Sequence, residues 1–132
     1  MSAPYSGVDL VDIAAFRAQL ADPASTFLDA AFTAGERRAC ARRPSRDPVR
    51  HLAARYAAKE AVLKAWSGAH FGRPPRLPSV PLSDIEVVSD AYGRPSIALH
   101  GPVAEAMRGV HVSVSLSHDG GYAIAFVVLT GV

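Results

Sequence analysis

Asp9, Glu60 with its neighbours Lys59 and Lys64, and His118 are the residues of this 132-residue chain whose types and spacing suit chemistry. Val49, Leu52, Tyr56 and Leu63 recur at steps of three, four and seven, the stripe of an amphipathic helix. At about 100° per residue, Glu60 falls inside that stripe, and Lys59 and Lys64 fall at its margins. An i,i+4 pair of Glu60 with Lys64 is ordinary on a solvated helix, where it contributes about 0.2–0.5 kcal/mol. A carboxylate turned toward a core instead needs a metal, a cation or a hydrogen-bond network. Asp9 falls at the end of an expected strand, and Asp12 is better placed to cap the helix that follows, which leaves Asp9 without a structural task. Two carboxylates from separate elements, completed by waters and substrate phosphates, are the usual way of holding Mg²⁺. Lysines at the margin neutralise phosphate oxygens. His118, beside Ser117 in an expected turn, suits either surface hydrogen bonding or a ligand contact.

The elements that must position these groups fit one compact domain spanning 1–132, short enough that a neighbouring subunit could complete its site. Hydrophobic residues make up 49% and charged residues 20%, and no apolar run approaches the roughly 20 residues of a membrane span. The first residues carry neither the basic region nor the apolar core of a signal peptide, so a cytoplasmic location is expected. The single cysteine, Cys40, has no partner at metal-ligand spacing and is expected to be a structural thiol. The net charge is only +2, but Arg37, Arg38, Arg42, Arg43, Arg46, Arg50 and Arg55 crowd one segment. That cluster suits an anionic partner or a solvated surface. An arginine-rich nucleic-acid-binding module is the alternative it raises, without the interleaved aromatics or motif such a module needs. Zinc spacing, a P-loop and a Gly-x-Ser-x-Gly turn are absent, which leaves hydrolase and NTPase readings without support.

In chain order, alternation predicts a strand over residues 5–13, a helix over 13–20 capped by Asp12, and a short helical turn within 25–32. Thr33 and Glu36 form a capping box for a helix over 34–42. A loop over 44–48 leads to the central helix, with Asp47 as N-cap, Pro48 at its first position and Gly68 closing it. The proline-dense stretch 71–81 reads as a stiff extended linker. Strands over 84–89 and 96–99 form a hairpin, Pro102 opens a short helix over 101–108, and strands over 110–116 and 122–129 form a second hairpin with 117–121 as its polar tip. Helices first and antiparallel hairpins second predict an α+β fold.

Gly7-Val-Asp-Leu-Val11, Phe32-Thr-Ala-Gly-Glu-Arg37, Arg55-Tyr-Ala-Ala-Lys-Glu-Ala61 with Lys64, Gly93-Arg-Pro95, and Val114-Ser-Leu-Ser-His118 with Ala123-Ile-Ala-Phe-Val127 occur in an order and spacing that resembles the holo-acyl-carrier-protein synthases, the small phosphopantetheinyl transferases. The resemblance spans nearly the whole chain. It implies a 4′-phosphopantetheinyl transferase-like fold and transfer of 4′-phosphopantetheine from coenzyme A to a serine of an apo acyl carrier protein, with Mg²⁺ required and adenosine 3′,5′-bisphosphate released. It implies that Asp9 and Glu60 bind the metal, that Lys64 contacts the transferred phosphate, and that His118 with Gly93, Arg94 and Pro95 holds the nucleotide end. A water at the metal site, oriented by Asp9 or Glu60, is the expected base. A homotrimer with sites between subunits, no nucleic-acid partner and no membrane partner are also implied. A homologue that binds coenzyme A or a carrier without turnover is the remaining alternative. One departure concerns docking of an acidic carrier: the helix over 13–20 offers only Arg17, where the family usually places several basic residues.

Overall fold

The computed structural model describes residues 3–42, 47–77 and 79–132. Strand β1 (Tyr5–Asp12) runs directly into α1 (Ile13–Ala21), followed by α2 (Phe27–Ala31), α3 (Ala34–Ala41) and the long α4 (Pro48–Ala69). A 3₁₀ turn, Leu82–Asp84, leads into the hairpin of β2 (Ile85–Ser89) and β3 (Pro95–Leu99). Then come α5 (Gly101–Ala106) and the hairpin of β4 (His111–Asp119) and β5 (Tyr122–Thr130). β1, β5 and β4 form a three-stranded antiparallel sheet with β5 in the middle, and β2–β3 stands as a separate two-stranded sheet. The architecture is the α+β arrangement expected.

Local chemistry sets the boundaries. Asp12 accepts a hydrogen bond from the Ala15 N–H at 3.1 Å and starts α1. The capping box of α3 has both its bonds, Glu36 N–H to Thr33 Oγ1 at 3.1 Å and Thr33 N–H to Glu36 Oε1 at 3.0 Å. Pro48 stands at the start of α4, and the Asp47 carboxylate before it pairs with Arg17 at 2.7 Å. Residues 43–46 of the expected loop, like Pro78 of the linker, lie outside the described residues. Gly68 does not close α4, which continues to Ala69; the left-handed glycine follows at Gly72, with φ +80°.

α4 lies across the inner face of the three-stranded sheet and is buried around most of its circumference, largely through alanines. Ala53, Ala57, Ala58, Ala61 and Ala65 are completely buried. Gly7 of β1 meets the helix so closely that a Cβ there would overlap the Ala61 carbonyl and stand 2.9 Å from the Ala65 nitrogen. On another side Phe16, Phe27, Phe32 and Tyr56 pack as an aromatic cluster with centroid separations of 5.3–6.3 Å. Alternation along β5 puts Ala123, Ala125, Val127 and Leu129 in the core and leaves Tyr122, Ile124 and Phe126 exposed. Val8 and Leu10 of β1 pair directly with Phe126 and Ile124, so the outer face of the sheet carries a continuous exposed apolar patch.

Candidate active site

Asp9 is not at a strand end. It lies within β1, opposite Ala125, on the face shared with Gly7 and Val11 that turns toward α4. Period-two alternation therefore forces its carboxylate inward, where its side chain is 15% exposed. From α4, Lys64 reaches across to Asp9 Oδ1 at 2.9 Å and to the Val8 carbonyl at 3.1 Å. Glu60, one turn earlier on α4, lines with Asp9 a cleft of about 310 Å³ whose other walls include Asp12, Phe16, Gln19 and Tyr56. Glu60 is half-buried at this cleft and is not sealed in the core. The Tyr56 hydroxyl is held above its usual pKa by burial first, then by the charge and hydrogen bond of Glu60 and by the charge of Asp9. Two carboxylates thus act on one point, and the cleft carries the negative field that a cation requires.

Among the described residues, no cluster of three or more His, Cys, Asp or Glu is arranged to hold a metal ion. A pair of carboxylates in an open cleft is instead the donor set for Mg²⁺, which keeps several waters and accepts phosphate oxygens. Asp9 and Glu60 fit that ion, and Lys64 fits an adjacent phosphate.

His118 is not in a turn either. β4 continues through Asp119, and two residues, Gly120 and Gly121, suffice to reach Tyr122. The ring of His118 stands 5.9 Å from that of His51 on α4, nearly perpendicular to it. Together they line a second cleft of about 430 Å³ with Arg55, Ser89, Gly93, Pro95 and Ser117. Gly93 turns there with φ +80°, a conformation only glycine adopts freely. Arg94 turns away: its guanidinium bonds Asp90 at 2.6 Å and lies 5.0 Å from the Tyr92 ring. His118, Gly93 and Pro95 line one cleft and Asp9 and Glu60 another, with Lys64 bonded to Asp9 beside the latter.

Arg55 and His51 belong to the second cleft, and sequence reading did not single them out. Arg55 belongs in the sequence to the arginine cluster that suits an anionic partner or a solvated surface, yet it is 3% exposed, donates to the His51 carbonyl at 3.3 Å and has a buried Nε without a hydrogen-bond partner. Its i,i+4 spacing from His51 was the available signal. Lys59 is the other correction. It lies in the interior and not at a margin, fully buried, donating to Glu36 Oε1 at 2.8 Å and to the Leu82 and Ile85 carbonyls at 3.0 and 2.5 Å. Burial pushes its pKa below the usual lysine value, against the opposing pull of Glu36.

The model of the 4′-phosphopantetheinyl transferase superfamily matches residues 6–127. A holo-[acyl-carrier-protein] synthase of Nocardia farcinica is 54% identical over 123 residues, 93% of this chain and 84% of that protein. The enzyme of the same name from Mycobacterium tuberculosis is 48% identical over 93% of both chains. The ACPS–CoA complex of Chronobacterium ammoniagenes superposes with a TM-score of 0.89 at 41% identity, covering 98% of each chain.

Proposed function

We propose, for a chain that belongs to the 4′-phosphopantetheinyl transferase superfamily, that Asp9, Glu60 and Lys64 form the centre of transfer of 4′-phosphopantetheine from coenzyme A to a serine of an apo acyl carrier protein. The convergence of Asp9 from β1 with Glu60 and Lys64 from α4 carries this reading. The relatives named holo-[acyl-carrier-protein] synthase and the coenzyme A complex of a similar enzyme support it.

Asp9 and Glu60 would hold Mg²⁺, which when bound would supply Lewis-acid polarisation of the phosphate oxygens. Lys64 moves its ammonium from Asp9 to a non-bridging oxygen of the phosphate that is transferred, neutralising charge that grows in the transition state. The serine oxygen forms the new bond to phosphorus as the bond to the bridging oxygen breaks, and adenosine 3′,5′-bisphosphate leaves. The serine proton passes to a water that Asp9 or Glu60 orients. His118, His51, Arg55 and the Gly93–Pro95 backbone bind the nucleotide end in the second cleft.

The separation of the two clefts supports a homotrimer in which one subunit supplies Asp9, Glu60 and Lys64 and its neighbour supplies His118. Val8, Leu10, Ile124 and Phe126 offer the apolar surface for that association. The whole of 1–132 acts as one transferase domain in the cytoplasm; no helix among the described residues is long and apolar enough to cross a membrane. The test is incubation with coenzyme A, Mg²⁺ and a panel of apo carriers. A phosphopantetheine adduct on a carrier serine, seen by mass spectrometry, is the expected outcome. No adduct on any carrier would refute the reading.

A further inference from the structure

α4 carries Glu60 and Lys64 to Asp9, yet the surface by which it contacts the sheet is nearly smooth. Ala61 and Ala65 meet β1 at Gly7, and Ala57 and Ala58 are also completely buried. Small, uniform side chains allow close approach but oppose rotation or sliding weakly, because they offer no large knobs to interlock. A slip of one residue along such a helix would move Glu60 by about 1.5 Å and turn it by about 100°. Leu52, Val62, Trp66 and the aromatic contacts of Tyr56 hold other sides of the helix.

The Lys59 ammonium, next to Glu60 in sequence, receives acceptors from three other elements. These are Glu36 Oε1 of α3 at 2.8 Å, the Leu82 carbonyl of the 3₁₀ turn at 3.0 Å and the Ile85 carbonyl of β2 at 2.5 Å. The second oxygen of Glu36 accepts the Val87 N–H at 2.8 Å, and its first also closes the α3 capping box. Both side chains are fully buried. A buried ion pair adds little net stability compared with well-packed apolar residues of the same size, because desolvation offsets the attraction. Directional bonds add what the smooth alanine surface lacks, a fixed register beside Glu60.

We propose that Lys59, acting with Glu36, is a positioning residue that locks the rotation and axial setting of α4 and so places Glu60 and Lys64 against Asp9. The inference rests on the transferase reading above.

The deciding variant is the double substitution E36Q/K59M, which removes both buried charges and keeps the side-chain volumes similar. Mn²⁺ serves as the probe, its binding measured directly by calorimetry, beside thermal unfolding and steady-state transfer. The expected result is a double variant that unfolds within a few degrees of wild type, binds Mn²⁺ about 10- to 100-fold more weakly, and loses kcat by a similar factor. Its KM for coenzyme A rises as well, because His51 and Arg55 of the nucleotide cleft stand on the same helix. Val103→Ala, a core truncation in α5, is the control: it lowers the unfolding temperature and leaves Mn²⁺ affinity unchanged. K59M alone, which strands the Glu36 charge, shows both defects if it folds. A folded double variant with wild-type Mn²⁺ affinity and kcat overturns the proposal. So does a double variant that cannot fold, because the claim is of a lock separable from stability. A wild-type protein that binds no Mn²⁺ and modifies no carrier would instead take down the transferase reading, and this proposal with it.

Discussion

Lys59 and Lys64 occupy one helix and each holds one carboxylate oxygen, at 2.8 and 2.9 Å, yet the surroundings of the two pairs are opposite. Lys59–Glu36 is sealed from water, and the three bonds of the ammonium end on groups of other elements. The Lys64 side chain is 56% exposed and spans a cleft to Asp9, so its ammonium is free to exchange one anion for another. Equal distances therefore do not imply equal roles. A satisfied and buried pair sets geometry, whereas a solvated pair at a cleft is available for chemistry.

That contrast can be broken at several points. The largest effect is expected at Glu60: Glu60→Gln keeps the shape, loses the charge proposed to hold Mg²⁺, and lowers kcat/KM by about 100-fold or more, about 2.7 kcal/mol of transition-state stabilisation. Unchanged far-ultraviolet circular dichroism with lost turnover is the expected pattern, and a variant with wild-type kcat/KM would remove the metal role. Next comes stability. Lys59→Met leaves Glu36 buried without its cation and is expected to cost about 3–5 kcal/mol in denaturant unfolding. Lys64→Met should cost no more than about 1 kcal/mol in the same measurement while sharply slowing transfer, because its pair is largely solvated. Equal losses from the two substitutions would erase the distinction between the pairs.

A smaller effect separates the rim of the buried network from its centre. Glu86 accepts from Thr33 Oγ1 at 2.6 Å and contacts His100 Nε2 at 2.9 Å, and these bonds, that of Thr33 foremost, hold its carboxyl below the usual range. A carboxyl lowered in the folded state stabilises above its unfolded value, near 4.5, and that contribution is lost as pH falls through the folded value. Unfolding measured across that acid window should therefore show a shallower pH dependence in Glu86→Gln than in wild type. An unaltered slope would show that Glu86 makes no such contribution.

Much of this was legible in the sequence because the signals were local. The capping box at Thr33, the Asp12 cap and the alternation of β4 each depend on residues close in sequence, and the structure forms all three. Asp9, Glu60 and Lys64 were found because polar residues stood where no local task required them. What was missed depends on contacts across the chain. A stripe model allows a helix one buried side, and alanine, small and weakly hydrophobic, gives little hint that α4 is enclosed nearly all round. The stripe therefore turns Glu60 inward, whereas the enclosed charges of α4 are Arg55 and Lys59. His118 was placed in a turn because Ser-His-Asp-Gly-Gly reads as a polar tip, but two glycines close the hairpin and strand pairing carries His118 to the α4 side of the second cleft. Arg17, the one basic residue of α1, is already engaged by Asp47, so a carrier docking on α1 must compete with that bond.

The meeting of Gly7 with Ala61 has a bearing on tolerance. A methyl group at position 7 would act as a shim between strand and helix, wedging β1 outward against the Ala61 carbonyl. Asp9 sits two residues along the same strand and would travel with it, away from Lys64 and Glu60. The span between the two carboxylates is thus calibrated by the smallest residue in the chain, and an uncharged, chemically silent position becomes as exacting as the charged ones it separates.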